Sequence, residues 1–275
     1  MPDMLRLTIL GCGSSPGTPR INGDWGACDP ANPKNRRLRA AALIERISES
    51  GRTTVAIDTG PDFRTQMIAA GVTRLDAVVY THAHADHIHG IDDLRGYFLT
   101  QRRRIDIHAD DATMRRLREA FAYCFETPEG SAYPPIVEPH VIGHEAPFTV
   151  DGEGGPITFQ PLPQEHGDTA SLGFRIGGIA YCPDVSGFPP RTAELLSNLD
   201  LLVIDALQYR PHPSHFSLGQ ALQWVERLGP KRTLLTHMHI PLDYDTVMRE
   251  TPDHVEPSYD GQAIEVQIPA KEEEK

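Results

Sequence analysis

The densest group of chemically active side chains in this 275-residue sequence lies in the segment 81–90, THAHADHIHG. It contains His82, His84, Asp86 and His87 within six residues. Imidazole nitrogens and carboxylate oxygens are standard ligands of divalent zinc, and a catalytic site also keeps one position open for water. Because these side chains follow a predicted strand, they can face one small volume. A single ion does not use all of them comfortably, so the spacing indicates two adjacent ions.

Three further candidate ligands stand alone, each where an apolar strand is predicted to end. His166 lies in a predicted loop after the strand 156–162, Asp184 follows IAYCP, and His237 follows LLT. Functional sites of α/β sheets gather at strand ends. Taken singly each signal is weak, and Asp184 could equally cap a turn. Their order after the first cluster is what makes them candidates.

The elements that must position these side chains alternate between strands and helices. Strands are predicted at 5–10, 41–47, 52–58, 75–82, 105–110, 156–162, 200–207, 232–239 and 261–268, with a hairpin over 172–183. Helices are predicted at 61–71, 111–125, 191–199 and 217–229. The Pro- and Gly-rich stretch 126–156 is expected to be an extended connection with one or two edge strands. This order predicts an α/β protein with one domain over residues 1–268, followed by a flexible acidic tail at 269–275.

Composition narrows the class of protein. Hydrophobic residues make up 39% and charged residues 23%, as in soluble globular proteins. The sequence has no apolar run long enough for a membrane span, no signal peptide and no C-x-x-C pair among its four cysteines, so we expect a cytoplasmic protein with reduced thiols. The net charge of −12 argues against a broad nucleic-acid surface. Two divalent ions would still make a local pocket attractive to an anionic substrate.

The pattern H-x-H-x-D-H, preceded by Asp58-Thr59-Gly60 and followed by single His, Asp and His residues at strand ends, resembles the metallo-β-lactamase fold superfamily over residues 5–268. The resemblance implies an α/β four-layer αβ/βα sandwich, with two mixed β-sheets flanked by helices. It also implies two divalent metal ions per chain, zinc or manganese. Both metals accept mixed histidine and carboxylate sites.

The resemblance also implies a role for each candidate residue. One ion would be bound by His82, His84 and His166, the second by Asp86, His87 and His237, and Asp184 would bridge both. Asp58 would orient a ligand imidazole from outside the coordination sphere. The implied reaction is hydrolysis by a metal-bound hydroxide, with Asp86 counted among the catalytic residues. In the pattern typical of the antibiotic-hydrolysing members, a cysteine occupies the position of Asp184. Lactam hydrolysis is therefore not expected.

The stretch 211–237 resembles the phosphodiesterase branch of the superfamily, which includes tRNA 3′-processing nucleases and a phosphoribosyl cyclic-phosphate phosphodiesterase. There a histidine at the place of His215 acts as general acid on the leaving alkoxide, a task worth about 10²–10⁴-fold in rate. The alternative is that His215 only caps the following helix. Arg36, Arg37 and His212 are weaker candidates for substrate contacts, because a basic run is more often a solvated surface.

Two departures from these relatives shape the substrate expectation. Only Cys28 remains of the cysteine cluster that binds a structural zinc in the cyclic-phosphate enzymes, and Ile240 stands where they have a histidine, so no structural zinc is expected. The sequence has no basic insertion of the kind that grips tRNA. We therefore expect small or cyclic phosphodiesters of the nucleotide or phosphoribosyl type as substrates. The sequence is compatible with a homodimer.

Two alternative functions remain open. A glyoxalase-type thioesterase would share the ligand set with a bridging aspartate, but it would leave His215 unexplained. A non-hydrolytic member of the fold that serves cofactor biosynthesis would leave the complete ligand set unexplained.

Overall fold

The structure, a computed structural model, describes residues 3–268, and the predicted acidic tail at 269–275 lies outside the described residues. Within this range fourteen strands form two sheets of seven. The first sheet contains β1 Met4–Gly11, β2 Ala41–Ser48, β3 Gly51–Ile57, β4 Ala77–Val79, β5 Ile105–Ala109, β6 Val137–Val141 and β14 Ala263–Gln267, in the order β14-β1-β2-β3-β4-β5-β6. The second contains β7 Phe148–Val150, β8 Ile157–His166, β9 Thr169–Ile176, β10 Ile179–Cys182, β11 Leu201–Asp205, β12 Thr233–Thr236 and β13 Val255–Pro257, in the order β13-β12-β11-β10-β9-β8-β7.

Eight α-helices accompany the sheets in the described range: α1 Phe63–Ala69, α2 Ala85–Ile88, α3 Leu94–Gln101, α4 Asp111–Ala120, α5 Ala122–Phe125, α6 Pro190–Leu195, α7 Leu218–Leu228 and α8 Tyr244–Glu250. Within residues 3–268, none of these helices combines the length and the apolar character that crossing a bilayer requires. Both sheets are mixed, because parallel pairs follow antiparallel ones along each of them.

The core explains why β4 is apolar on both faces. Alternate residues of a strand point to opposite faces of the sheet. Val79 packs in a core shared with the second sheet, whereas Val78 and Tyr80 pack in a second core against the helices, and all three are buried. On the far side, Phe216 and Ala221 extend the first core to α7. The resulting succession of helix, sheet, sheet and helix confirms the predicted four-layer α/β sandwich.

Most elements agree with the pattern of the sequence, and the differences have local causes. The stretch 126–156 supplies β6 and β7, and each forms an edge of its sheet, as predicted. The helix predicted at 111–125 is interrupted at Phe121, whose φ of −133° leaves the helical region, although the buried residues continue beyond the break. Helix α3 escaped prediction because it buries only Leu94 and so carries no repeated apolar stripe.

One strand boundary corrects the sequence analysis. His166 was expected in a loop after residue 162, but β8 continues to His166, paired throughout with β9. Two prolines at 161 and 163 conceal this strand in the sequence, because proline removes a backbone donor and usually marks an irregular segment. His166 therefore has the backbone support of a regular sheet.

Candidate metal centre

The predicted ligands lie at one edge of the sandwich because their strands run in the same direction. Strands β3 and β4 are parallel, and so are β10, β11 and β12. Strand β8 is antiparallel to β9, which is antiparallel to β10, so β8 also points toward this edge. The carboxyl ends of six strands thus deliver the candidate residues to one place, which is where α/β sheets bind ligands.

Close backbone packing holds the histidine-rich loop against the Asp-Thr-Gly segment. A Cβ atom on Gly60 would lie 2.1 Å from the carbonyl oxygen of Asp86, and one on Gly90 would lie 2.2 Å from the carbonyl oxygen of Gly60. The amide of Thr59 donates to the carbonyl of His87 at 2.8 Å. Only glycine fits at these two contacts. The two motifs are therefore neighbours because the backbones touch.

Three site residues have left-handed backbone conformations, which are uncommon for residues other than glycine. The φ angles are 68° at Asp58, 51° at Asp184 and 56° at His237. Each conformation costs on the order of 1–3 kcal/mol and persists only where the surroundings enforce it. All three residues come directly after a strand or two residues beyond one, so the turn redirects a strand end toward the centre.

The first donor group consists of His82, His84 and His166, whose ring nitrogens lie within 4.8 Å of one another. His166 Nε2 is 3.3 Å from His84 Nδ1. His166 Nδ1 lies 2.7 Å from the carbonyl oxygen of Ser214, which can only accept, so Nδ1 carries the proton and Nε2 has a free lone pair. His84 is exposed, which leaves this side of the centre open to solvent.

The second donor group consists of Asp86, His87 and His237, again within 4.8 Å. His87 Nε2 is 3.4 Å from Asp86 Oδ2, and His237 Nε2 is 3.7 Å from the same oxygen. His87 and His237 are completely or almost completely buried. This group is thus more enclosed than the first.

Asp184 lies between the two groups. Its Oδ1 is 3.2 Å from His237 Nε2 and 3.9 Å from both His82 Nε2 and His166 Nε2. Its Oδ2 is 3.2 Å from His87 Nε2. This carboxylate is the side chain that reaches both sets of imidazoles, which is the position that a bridging ligand requires.

Asp58 orients imidazoles of both groups. Its Oδ2 accepts from His87 Nδ1 at 2.7 Å and from the Thr81 hydroxyl at 2.8 Å. Since that hydroxyl proton is committed to Asp58, the Thr81 oxygen accepts from His82 Nδ1 at 3.0 Å. Both histidines therefore donate through Nδ1 and direct Nε2 toward the centre. Burial raises the pKa of Asp58 despite the opposing influence of His87.

The donor set fits divalent cations. Among the described residues, the buried polar atoms without a hydrogen-bond partner include Nε2 of His82, His87 and His237 and one carboxylate oxygen each of Asp86 and Asp184. A buried polar atom without a partner costs roughly 1–3 kcal/mol. Five such atoms facing one another make a site that is incomplete as protein alone, and bound cations would satisfy all five.

The electrostatics of the centre favour positive charge. Burial would raise the pKa of Asp184, but His237 and His87 outweigh it and hold that pKa well below its usual range. Conversely, burial lowers the pKa of His237, yet Asp184 and Asp86 outweigh it and raise the pKa to about 9. Burial and the neighbouring His87 lower the pKa of His82. The carboxylates thus make the centre attractive to cations, including protons.

His215 adjoins the centre. Its ring stacks on His237 with centroids 4.7 Å apart and meets His166 edge-on, also at 4.7 Å. Its Nδ1 lies 2.6 Å from Oδ2 of Asp205, a fully buried carboxylate at the end of β11. The alternative role as a helix cap does not hold, because Ser217 caps α7.

Asp205 is the site residue that the sequence analysis missed. Its Oδ2 also accepts from the amide of Val185 at 3.0 Å, which fixes the carboxylate. The available signal was an aspartate ending the apolar strand DLLVID, the same signal that indicated Asp184. No neighbouring motif distinguishes Asp205 from an aspartate that simply ends a strand.

The three weaker substrate candidates differ in position. Arg37 is a correction: it is 1% exposed, and its guanidinium is committed to the carbonyl of Leu242 at 2.6 Å and to Asn35 at 3.3 Å, so it is not placed to contact a substrate. Arg36 is exposed and lies over the ring of Trp25. His212 is exposed with its ring 5.3 Å from His215, which keeps it a candidate.

Comparison with known proteins agrees with this geometry. A family model described as a beta-lactamase superfamily domain matches residues 53–238. The chain therefore belongs to the beta-lactamase superfamily, and the predicted resemblance is confirmed. The crystal structure of a diphosphatase from the PhnP family is 35% identical, with a TM-score of 0.86, and the match covers 96% of this chain and 98% of that one.

Two further relatives extend the comparison. The short form of human tRNase Z shares the fold at 18% identity, with a TM-score of 0.63 over 96% of this chain and 100% of that one. A Porphyromonas gingivalis protein named octanoyltransferase is 32% identical over 262 residues, which are 94% of this chain and 51% of that protein. The chain thus spans about half the length of this curated relative.

Proposed function

We propose that the protein is a metal-dependent phosphodiesterase that acts on small or cyclic phosphodiesters of the nucleotide or phosphoribosyl type. The observation that carries this proposal is the pair His215–Asp205, stacked against His237 beside a complete donor set. A phosphodiester has an alkoxide leaving group that needs a proton, and this pair is built to deliver one. The relative named a diphosphatase adds diphosphates to the substrates to be tested.

Two divalent ions, zinc or manganese, would occupy the two donor groups, with Asp184 between them and Asp86 both a ligand and a catalytic residue. When bound, such ions supply Lewis acidity that stabilises charge on phosphoryl oxygens and assists the ionisation of water at neutral pH. Asp58 keeps His82 and His87 in the tautomer that presents Nε2 to the ions. The exposed His84 marks the side from which substrate would enter.

His215 would act as the general acid through its Nε2. Asp205 Oδ2 accepts from Nδ1, so the proton to be transferred resides on the other ring nitrogen. Stacking on His237 and contact with His166 keep the ring beside both donor groups. Asp205 stabilises the protonated ring and fixes its orientation, the role of the third group in catalytic triads.

The experiment is a metal-dependent screen of purified protein with bis(p-nitrophenyl) phosphate, cyclic nucleotides, phosphoribosyl cyclic phosphate and lactoylglutathione. We expect diester cleavage with zinc or manganese and none after chelation. Cleavage of lactoylglutathione, with no diester cleaved under any divalent metal, would contradict the proposal. The variant His254→Ala is a matched control, because this exposed histidine directly precedes β13, at the end of the sheet opposite to the donor groups.

A second candidate is an acyl thioesterase, and the curated relative named octanoyltransferase favours testing it. Acyl transfer through a cysteine of this chain is disfavoured, because all four cysteines are buried and burial raises their pKa. Hydrolysis of an octanoyl thioester at the metal centre needs no such cysteine. A thiolate leaves without protonation, so His215→Ala would spare thioester cleavage and impair diester cleavage.

We infer a small-molecule partner, no broad nucleic-acid surface and a cytoplasmic location. A homodimer is to be tested by light scattering coupled to gel filtration, and the location by cell fractionation. A non-hydrolytic role in cofactor biosynthesis would require that chelated protein retain its biological function.

A further inference from the structure

A second group of polar side chains adjoins the segment that follows His237. Ser14 Oγ lies 2.8 Å from His239 Nδ1, and Arg20 Nη2 lies 2.5 Å from His239 Nε2. The amide of Ser14 also donates to the carbonyl of Met238 at 3.1 Å. The loop that contains Ser14 and Arg20 is therefore attached to the chain immediately after a predicted metal ligand.

The donors of this group can be assigned. A guanidinium has only N–H donors, so Arg20 donates and His239 Nε2 accepts. The proton of His239 is then on Nδ1 and is donated to Ser14 Oγ. Arg20 donates a second time to Asp24 at 3.2 Å. These contacts use two of the five N–H groups of Arg20, whose side chain is 39% exposed, so donors remain for a ligand.

The position of Arg20 is held by its surroundings. Its amide donates to the carbonyl of Asp24 at 2.9 Å, and the amide of Gly23 donates back to its carbonyl at 2.8 Å, which closes a tight turn. Beyond that turn, a Cβ atom on Gly26 would lie 2.7 Å from the side chain of Ile240. The loop is thus packed directly against the strand-end segment, and Arg20 is a pre-positioned cation.

Arg20 is connected to the proposed reaction centre through His239. His239 is two residues after His237, so their Cα atoms are at most about 7 Å apart. The amide of His239 donates to the carbonyl of Leu207, two residues after Asp205. Arg20 therefore extends the site on the side of His237 and His215. Its situation contrasts with that of Arg37, whose guanidinium is buried and committed to protein groups.

We propose that Arg20, held by His239, is a specificity-determining residue that binds a second phosphoryl group of the substrate. The inference rests on the proposed function, because it assumes that one phosphoryl group lies at the metal centre. A guanidinium matches two phosphate oxygens with parallel N–H donors, so it selects a phosphoryl group by geometry as well as by charge. Substrates with a single phosphodiester would leave Arg20 without a ligand.

The test compares inorganic diphosphate with orthophosphate by titration calorimetry on metal-loaded protein. We expect the wild type to prefer diphosphate and Arg20→Ala to reduce that preference by about 10- to 100-fold, the usual value of a hydrogen bond to a charged group. Arg20→Lys keeps the charge without the fork and should recover part of it. Arg191→Ala, which removes an exposed arginine paired with Glu194, is the matched control.

An equal preference for diphosphate in the wild type and in Arg20→Ala would overturn the inference. If both affinities also fall by the same factor, Arg20 is a loop-stabilising residue only. Failure of the proposed function is distinguishable, because it appears as absence of diester turnover by the wild type. Turnover of bis(p-nitrophenyl) phosphate without diphosphate preference would reject the Arg20 subsite alone.

Discussion

The two sheets contribute to the centre in different ways. The first sheet supplies a dense cluster, His82 to His87, in the loop and the short helix α2 that follow β4, supported by Asp58 after β3. The second sheet supplies single residues from the ends of separate strands: His166 from β8, Asp184 after β10, Asp205 from β11 and His237 after β12. A local loop can bring its own donors together, whereas scattered residues need the whole sheet to align them.

The difference has a functional side. The first sheet presents imidazoles whose tautomers are fixed by one carboxylate, Asp58, through two hydrogen-bond routes. The second sheet contributes the carboxylate that lies between the groups, Asp184, and the pair His215–Asp205. We infer that the first sheet mainly holds the ions, while the second sheet joins them and supplies the proton.

The largest expected effect separates Asp184 from Asp86. Asp184→Asn should lower the occupancy of both ions, because Asp184 contacts both donor groups, whereas Asp86→Asn should lower only one. Metal content by mass spectrometry and diester turnover are the measurements, and activity losses should exceed the roughly 100-fold cost typical of outer residues. Glu194→Gln, an exposed carboxylate, is the control. Equal metal content in Asp184→Asn and Asp86→Asn would contradict the inference that Asp184, from the second sheet, joins the two ions.

The next effect concerns proton delivery by the second sheet. His215→Ala should retain metal but lose about 10²–10⁴-fold in kcat on an alkyl phosphodiester, with a smaller loss for p-nitrophenoxide, which leaves without protonation. Asp205→Asn should follow the same pattern more weakly. Turnover of the alkyl substrate at the wild-type rate by His215→Ala would end the assignment of a general acid.

A smaller effect is expected for the support in the first sheet. Asp58→Asn places an amide where His87 and Thr81 both donate, so it disturbs imidazoles of both donor groups. Loss of such an outer partner typically costs 10–100-fold in metal affinity or activity. A competition titration with a chromophoric chelator measures the affinity. If the binding affinity of only one of the two ions falls, the hydrogen bond from Thr81 to Asp58 does not contribute to metal binding.

The smallest effect contrasts the centre with a partly buried histidine on β5, the strand beside β4. His108 on β5 stacks between His140 at 4.7 Å and Phe148 at 4.9 Å, and burial lowers its pKa to about 4. The unfolded chain titrates near 6.5, so between pH 6.5 and 4 the unfolded state binds more protons and the free energy of unfolding falls as the pH falls.

His108→Phe keeps the stacked ring and removes this titration. We expect the Tm of the wild type to fall more than that of the variant between pH 6.5 and 4, with parallel behaviour above pH 7. Thermal melts across this range provide the measurement. Identical pH profiles would show that His108 does not contribute to the acid sensitivity of the fold.

The sequence by itself determined the features that depend on neighbouring residues, namely the strands and the metal donors at their ends. The H-x-H-x-D-H motif and the apolar strands that end in His or Asp indicated metal donors at strand ends, and their resemblance to the metallo-β-lactamase superfamily implied the sandwich and the residues that meet at its edge. These signals are local because alternation along a strand, and a donor placed after it, depend only on neighbouring residues.

Only the tertiary structure decided how those residues are connected. That Asp184 lies between two groups, that Asp205 supports His215 and that Thr81 links Asp58 to His82 all depend on distances across packed layers. The same holds for two arginines. Arg37 belongs to a basic run but is buried, whereas Arg20, which no sequence motif indicates, contacts His239 beside the site. The sequence determines the type of each residue, but the burial and the hydrogen-bond partners of a side chain depend on packing between segments that are far apart in sequence.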